Sequence, residues 1–111
     1  MTDWSAVGAG FVIAIALGLV APGFGHLAGG FIGGLVAGYL ADGGMLSGTW
    51  HGLLAGALGG ILLAIVLVIG GAAFGPVGAL VGGSLAIVAI VASFFLALDS
   101  AVGGAIGGLL A

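Results

Sequence analysis

The sequence predicts an all-α integral membrane protein: four transmembrane helices with glycine-zipper packing, followed by a short C-terminal half-helix. Three observations favour this class. Hydrophobic residues make up 63% of the 111 residues, the only charged side chains are three acids, and 27 residues are glycine. A soluble domain carries charge on about a quarter of its residues. So short a chain could not hide this much apolar surface from water, whereas in lipid it has no need to.

The charge balance also excludes several functions. The chain contains no Lys, no Arg and no Cys. Without cationic side chains a protein has no means of neutralising phosphates, so we expect no nucleic-acid partner. The positive-inside rule counts Lys and Arg, so the orientation in the membrane cannot be read from this sequence.

Four apolar segments are long enough to be read as spans of one transmembrane domain, 1–111. The first covers about 4–20 and ends at the Pro and Gly residues of 21–25, which break helices. The second covers about 26–40, and a polar, glycine-rich loop follows it. The third covers about 50–69, ends at Gly70-Gly71, and is followed after Gly75-Pro76 by the fourth at about 77–98. Alternation of period two is absent, so helices are favoured over strands.

The C-terminal tail, 100–111, is apolar but would measure only about 17 Å as a helix, which is too short to cross a bilayer. Asp99 and Ser100 are residue types that cap helix N-termini. We therefore expect a re-entrant or packed half-helix that begins after this pair. If the fourth helix instead continued through the tail, Asp99 would be drawn deeper into the membrane.

Four crossings place the charged and aromatic residues on one side of the membrane. This side receives Asp3, Asp42 and Asp99 together with Trp4, Tyr39 and Trp50. Trp and Tyr concentrate at membrane interfaces. The separation supports four spans, because three or five spans would scatter the acids or bury one.

The glycines recur at four-residue spacing, which places them on one face of a helix. In lipid, helices associate through such small-residue faces. We expect the second span to be the central helix, because it carries two adjacent rows. The packing glycines predicted in this way are Gly25, Gly29, Gly30, Gly33, Gly34, Gly38, Gly52, Gly56, Gly60, Gly104 and Gly108.

Three polar side chains are candidates for a function. His26 and His51 are the only imidazoles, and four spans place them near opposite faces, so we expect no shared metal or cofactor. Each is expected to bind backbone or water at a helix start. Asp99 is the third candidate, because an intramembrane carboxyl is a functional hypothesis by default. No set of nucleophile, base and acid is present, so we expect no catalytic residues and no enzyme.

The segment Pro22 to Leu40 contains the Gly25-His26 pair, and residues 50–56 read Trp-His-Gly-Leu-Leu-Ala-Gly. With these motifs the chain resembles a family of small haloarchaeal membrane proteins known only as a domain of unknown function. The resemblance is firmest over residues 22–60. It implies a four-helix membrane protein of an extreme halophile and brings no activity, substrate or catalytic residue.

The leading functional hypothesis is structural: self-association through glycine zippers into a homo-oligomer or lattice. One alternative is a channel or transporter for a small solute or ion. The other is an accessory subunit of a larger membrane complex that binds a lipid, quinone or carotenoid. We expect membrane lipid as a partner, no obligatory cofactor, although a lipid or apolar pigment would fit, and residence in the cell membrane.

Overall fold

The computed structural model describes residues 2–22 and 24–111, and it is helical with no strand in those ranges. The predicted all-α class with four helices is confirmed. Three of the helices, α2, α3 and α4, are long and apolar enough to cross a membrane, and α1 is a shorter apolar helix of 17 residues. The four are α1 Trp4–Val20, α2 Phe24–Ala41, α3 Gly44–Ala72 and α4 Pro76–Leu110.

The connections between helices are short because residues with unusual backbone angles stand at them. Asp42, in the turn between α2 and α3, has φ of 49°, and Gly44, the first residue of α3, has φ of 84°. Gly75 has φ of 92° and precedes Pro76, which occupies the first turn of α4. Glycine adopts such angles without steric cost, and aspartate tolerates them better than most residues. Gly23, in the predicted break between the first two spans, lies outside the described residues.

The start of α3 corrects one expectation. The polar segment Ser47-Gly48-Thr49 was expected to be a loop, but α3 already begins at Gly44. The Thr49 hydroxyl donates to the Met45 carbonyl 2.8 Å away within the same helix. A hydroxyl satisfied by its own helix is no obstacle to helix formation, so the polar composition misled the prediction.

The C-terminal tail corrects a second expectation. No separate half-helix follows Asp99, because α4 runs without a break from Pro76 to Leu110. The glycines of the tail pack against α2 and α3, as at Gly104, where an added Cβ would overlap the Gly48 carbonyl. Tertiary packing of this kind outweighs a local capping preference. Asp99 therefore lies in the interior of a helix, about three turns from its C-terminal end.

Helices α2 and α3 share the centre of the arrangement, since each contacts all three other helices. Helix α2 runs antiparallel to α1 and parallel to α4, since Gly30, Gly34 and Gly38 meet successively later residues of α4. Helices α3 and α4 form a long antiparallel hairpin. Over the described residues, α1 contacts α2 and α3 but not α4. The fully buried side chains Val7 and Ala37 pack with Ala55 where α1, α2 and α3 meet.

Both chain ends lie at the same end of the bundle. Asp3 contacts His51 near the start of α3, and Gly108 packs against Gly44, which is the first residue of α3. Asp42 stands in the turn at this end too. The expected grouping of acids therefore holds for Asp3 and Asp42, whereas for Asp99 it is wrong, because that residue lies deeper along α4.

The two hairpins differ in length. At 1.5 Å per residue, α1 and α2 measure about 26 Å, whereas α3 and α4 measure about 44 Å and 52 Å. The longest dimension of the molecule is 49 Å. The hairpin of α3 and α4 consequently projects beyond the α1–α2 connection at the end away from the chain termini.

Candidate functional site

The glycines on α2 form two faces, each covered by a different helix. On one face, a Cβ added at Gly29 would lie 2.8 Å from the Ala14 carbonyl oxygen of α1, and one at Gly25 or Gly33 would overlap a backbone carbonyl of α1. On the other face, a Cβ at Gly34 would overlap the Ser100 carbonyl oxygen, and one at Gly38 would overlap that of Gly104. Both faces therefore hold a neighbouring backbone within the same chain.

The glycines on α3 face α4 in the same manner. A Cβ at Gly52 would lie 3.0 Å from the Gly104 Cα, and one at Gly56 would lie 2.8 Å from the Ala97 Cα. At Gly60 an added Cβ would overlap the Ser93 side chain. The glycine rows of α3, like those of α2, therefore pack against other helices of the same chain.

His51 ties the N-terminal segment to α3. Its side chain is 2% exposed, and its Nε2 accepts a 2.8 Å hydrogen bond from the Asp3 backbone N–H. Since Nε2 accepts, the ring proton lies on Nδ1, which donates to the Ser47 carbonyl at 2.6 Å. Next to it, Trp50 Nε1–H donates to the Thr2 hydroxyl at 3.1 Å. The Trp-His pair of the sequence motif thus anchors residues 2–3.

The Asp3 carboxylate caps α1. Its Oδ1 accepts from the Ser5 hydroxyl at 2.6 Å and from the backbone N–H groups of Ser5 and Ala6. The hydrogen bond from the Ser5 side chain, followed by that from the Ala6 backbone, lowers the pKa of the Asp3 carboxyl below its ordinary value.

His26 lies at the opposite end of the α1–α2 hairpin from His51. It is in the first turn of α2, is exposed, and packs against Gly18 near the end of α1, where an added Cβ would be 2.5 Å from Nδ1. The structure does not bring the two histidines together. Across residues 2–22 and 24–111, no group of three or more His, Cys, Asp or Glu is arranged to hold a metal ion.

Asp99 and Ser100 carry the two buried side-chain atoms that have no hydrogen-bond partner in the described part of the chain, Asp99 Oδ2 and Ser100 Oγ. Both face α2. A Cβ at Gly30 would lie 2.9 Å from Asp99 Oδ2, and one at Gly34 would lie 2.7 Å from Ser100 Oγ. The two orphaned polar atoms therefore stand one helical turn apart along the same glycine face.

A groove of about 500 Å³ lies between α1 and α4, which do not touch. Residues of α2 and α3 complete its lining. The lining is almost entirely apolar and contains many small residues: Phe11, Ala14, Ile15, Leu19, His26, Gly30, Ala55, Gly56, Gly59, Gly60, Leu62, Leu63, Val66, Ala89, Ala92, Ser93 and Leu96.

Three polar features mark the groove. The His26 ring lies at the end near the α1–α2 connection. The Ser93 hydroxyl is satisfied within its own helix, since it donates to the Ile90 carbonyl at 2.7 Å. At the Gly30 end the Asp99 carboxyl oxygen lies directly behind the lining. Asp99 continues the α4 wall, because it follows Ala92 and Leu96 at helical spacing.

Sequence reasoning did not identify this groove, since it depends on α1 and α4 being held apart. Comparison with known proteins gives a family without an assigned activity. The family model of DUF5518, described as a family of unknown function, matches residues 4–110, so the chain belongs to that family. No curated protein matches the chain, and no solved structure does.

Proposed function

We propose that this chain is a non-enzymatic integral membrane protein that holds one long-chain apolar molecule of the membrane in the groove between α1 and α4. The observation that carries the proposal is the groove itself, about 500 Å³ of apolar space at the depth of the spanning helices. Its long walls run beside α3 from Ala55 to Val66, a distance of about 16 Å along the helix axis. A chain-like molecule suits this shape.

The groove is pre-formed by the packing around it. Gly25, Gly29 and Gly33 hold α1 close to α2, and Gly34 and Gly38 hold α4 close to the other face of α2. Neither wall can close the gap without separating from α2. In lipid no hydrophobic force draws two helices together, so a gap of this kind persists until something fills it. A pre-formed site also spares the protein the ordering entropy of binding.

We infer that the glycine zippers act within the protomer. The rows first considered for self-association, Gly30, Gly34 and Gly38 on α2 and Gly52, Gly56 and Gly60 on α3, already face other helices of the same chain. A second copy could use them only after the protomer had come apart. Their proposed role is to make the helix pairs rigid enough to maintain the groove. We therefore favour an accessory, ligand-holding function over self-association into a homo-oligomer.

Two variants test the groove directly. At Gly59, which lines the groove, the nearest atom to an added Cβ is Phe11 Cε2 at 3.9 Å, so Gly59→Leu adds a side chain to the groove without a clash at its first carbon. The matched control is Gly8→Leu, a site outside the groove with no atom within 4 Å of an added Cβ. The proteins are extracted with their native lipids, and the molecules they retain are identified by mass spectrometry.

Wild type and Gly8→Leu should retain the same apolar molecule in about a one-to-one ratio, and Gly59→Leu should lose most of it, because a leucine side chain occupies the space. Equal retention by Gly59→Leu and Gly8→Leu would show that the groove is not the binding site.

A further inference from the structure

The imidazole of His26 gives one end of the groove a hydrogen-bonding group. His26 is exposed and lines the groove at the end near the α1–α2 connection. The Nδ1–Cε1 edge of its ring packs against Gly18, where an added Cβ would be 2.5 Å from Nδ1 and 2.8 Å from Cε1. Unlike the ring of His51, this ring takes part in no hydrogen bond among the described residues. Its Nε2, on the side away from Gly18, is therefore available to a molecule in the groove.

The position of His26 along the bundle corresponds to the headgroup level of a bilayer. Trp4, Tyr39 and Trp50 stand at the end with the chain termini, and such residues concentrate at membrane interfaces. Helix α1 runs from Trp4 to Val20, about 26 Å, whereas the hydrocarbon core of a bilayer is about 30 Å thick. The α1–α2 connection then reaches nearly to the opposite interface, and a bilayer thins locally around a short span.

We propose that the molecule in the groove is a phospholipid, with an acyl chain along the apolar lining and a phosphate oxygen that accepts a hydrogen bond from His26 Nε2. The inference rests on the proposed function and narrows the ligand by its polar end. An imidazole donates from Nε2 when it carries the proton there, and a hydrogen bond to a charged oxygen is about twice as strong as one between neutral groups. The lipid would keep the depth it has in the bilayer, so no polar group has to enter hydrocarbon.

The remaining polar side chains near the groove are unsuited to a phosphate. The chain has no Lys or Arg, and the Ser93 hydroxyl already donates to a carbonyl of its own helix. Asp3 and Asp42 stand at the other end of the bundle, and Asp99 is not part of the lining. His26 is thus the donor that the groove offers. A carotenoid or another hydrocarbon would leave this donor without an acceptor.

The test compares two lipids that share their acyl chains and differ in the phosphate, dioleoylphosphatidic acid and dioleoylglycerol. Each protein is incubated in dodecyl maltoside with equal amounts of both, and the retained lipid is counted by native mass spectrometry. Wild type should retain the phosphatidic acid about tenfold better, the factor that corresponds to one net hydrogen bond. His26→Leu should remove the preference and leave dioleoylglycerol retention unchanged. The matched control Leu27→Ala, at an exposed neighbour outside the lining, should keep it.

A second variant ties the phosphate to the groove. Gly59→Leu should lower the retention of both lipids, because its side chain occupies the space of the acyl chain. If this variant retained phosphatidic acid as wild type does, the lipid would bind elsewhere and the inference would be wrong.

The other outcomes separate this inference from the proposed function. Equal retention of the two lipids by wild type overturns phosphate recognition and leaves the groove proposal intact. A preference that survives His26→Leu overturns the role of His26. Retention of neither lipid overturns the choice of a phospholipid, whereas the groove proposal falls only if Gly59→Leu also keeps the molecule that wild type retains from the native membrane.

Discussion

The Asp3 backbone N–H donates to His51 Nε2 across 2.8 Å, and this hydrogen bond joins residues 48 positions apart. It fixes the start of α1 against α3 at the end of the bundle where both chain ends lie. The same ring is held from the other side by the Ser47 carbonyl. A single imidazole thus connects the N-terminal cap to the third helix.

His51→Ala should therefore destabilise the fold markedly. The substitution leaves the Asp3 N–H and the Ser47 carbonyl without their partner and opens a cavity at a side chain that is 2% exposed. The expected loss is about 2–4 kcal/mol of unfolding free energy. Trp50→Phe is the neighbouring control, because it removes one exposed hydrogen bond to Thr2 and should cost well under half as much. Thermal unfolding in detergent micelles measures both, and equal effects would show that His51 is not the main anchor.

The cap at Asp3 makes stability depend on acid pH. Its hydrogen bonds hold the pKa of the folded carboxyl below the value of about 3.9 found in unfolded chains. The carboxylate therefore contributes stability that is fully present above about pH 4 and is lost as the pH falls through the folded pKa. The unfolding temperature of wild type should decline over that acid range, and in Asp3→Asn, which caps without titrating, this part of the decline should be absent. An identical decline in the two proteins would exclude Asp3 as its source.

Glycine substitutions should divide into two groups according to what an added Cβ meets. Gly34→Ala drives a Cβ into the Ser100 backbone, which cannot rotate away, so it should destabilise the protein by about 2 kcal/mol or more. Gly70→Ala, with nothing within 4 Å of the added carbon, should be neutral or stabilise by about 0.5–1 kcal/mol through helix propensity. Unfolding of the two variants in mixed micelles gives the comparison. If Gly34→Ala destabilised the protein no more than Gly70→Ala does, the close crossing of α2 and α4 at Gly34 would not contribute to stability.

The sequence predicted the helices better than the relations between them. Long apolar runs bounded by Gly and Pro are sufficient to find four helices, and the two glycine faces of α2 predicted a helix with neighbours on both sides. The predicted resemblance is confirmed to the extent that the chain belongs to a family of unknown function. The haloarchaeal origin and the zipper packing stay predictions. The groove could not be predicted, because it depends on α1 and α4 both packing on α2 without meeting.

The error at Asp99 has an identifiable cause. A capping pair is a local signal, and here a longer pattern of small residues runs through it. Small residues recur at helical spacing on one side of α4, at Ser93, Ala97, Ser100, Gly104 and Gly108, and this face packs on α3. A row that keeps its register across a candidate boundary indicates one helix rather than two.

Proline at Ser100 distinguishes a continuous α4 from a capped tail. If a new helix began after Asp99, position 100 would be its first residue, where proline is well tolerated. In a continuous helix, proline removes an internal hydrogen bond and clashes with the carbonyl of Leu96, four residues earlier, which costs about 3 kcal/mol or more. Val77→Pro is the matched control, since Val77 follows Pro76 in the first turn of α4 and its N–H has no partner within the helix. We expect Ser100→Pro to lower the unfolding temperature strongly and Val77→Pro to change it little. If both substitutions lowered it only slightly, the result would indicate a helix boundary at Asp99 instead.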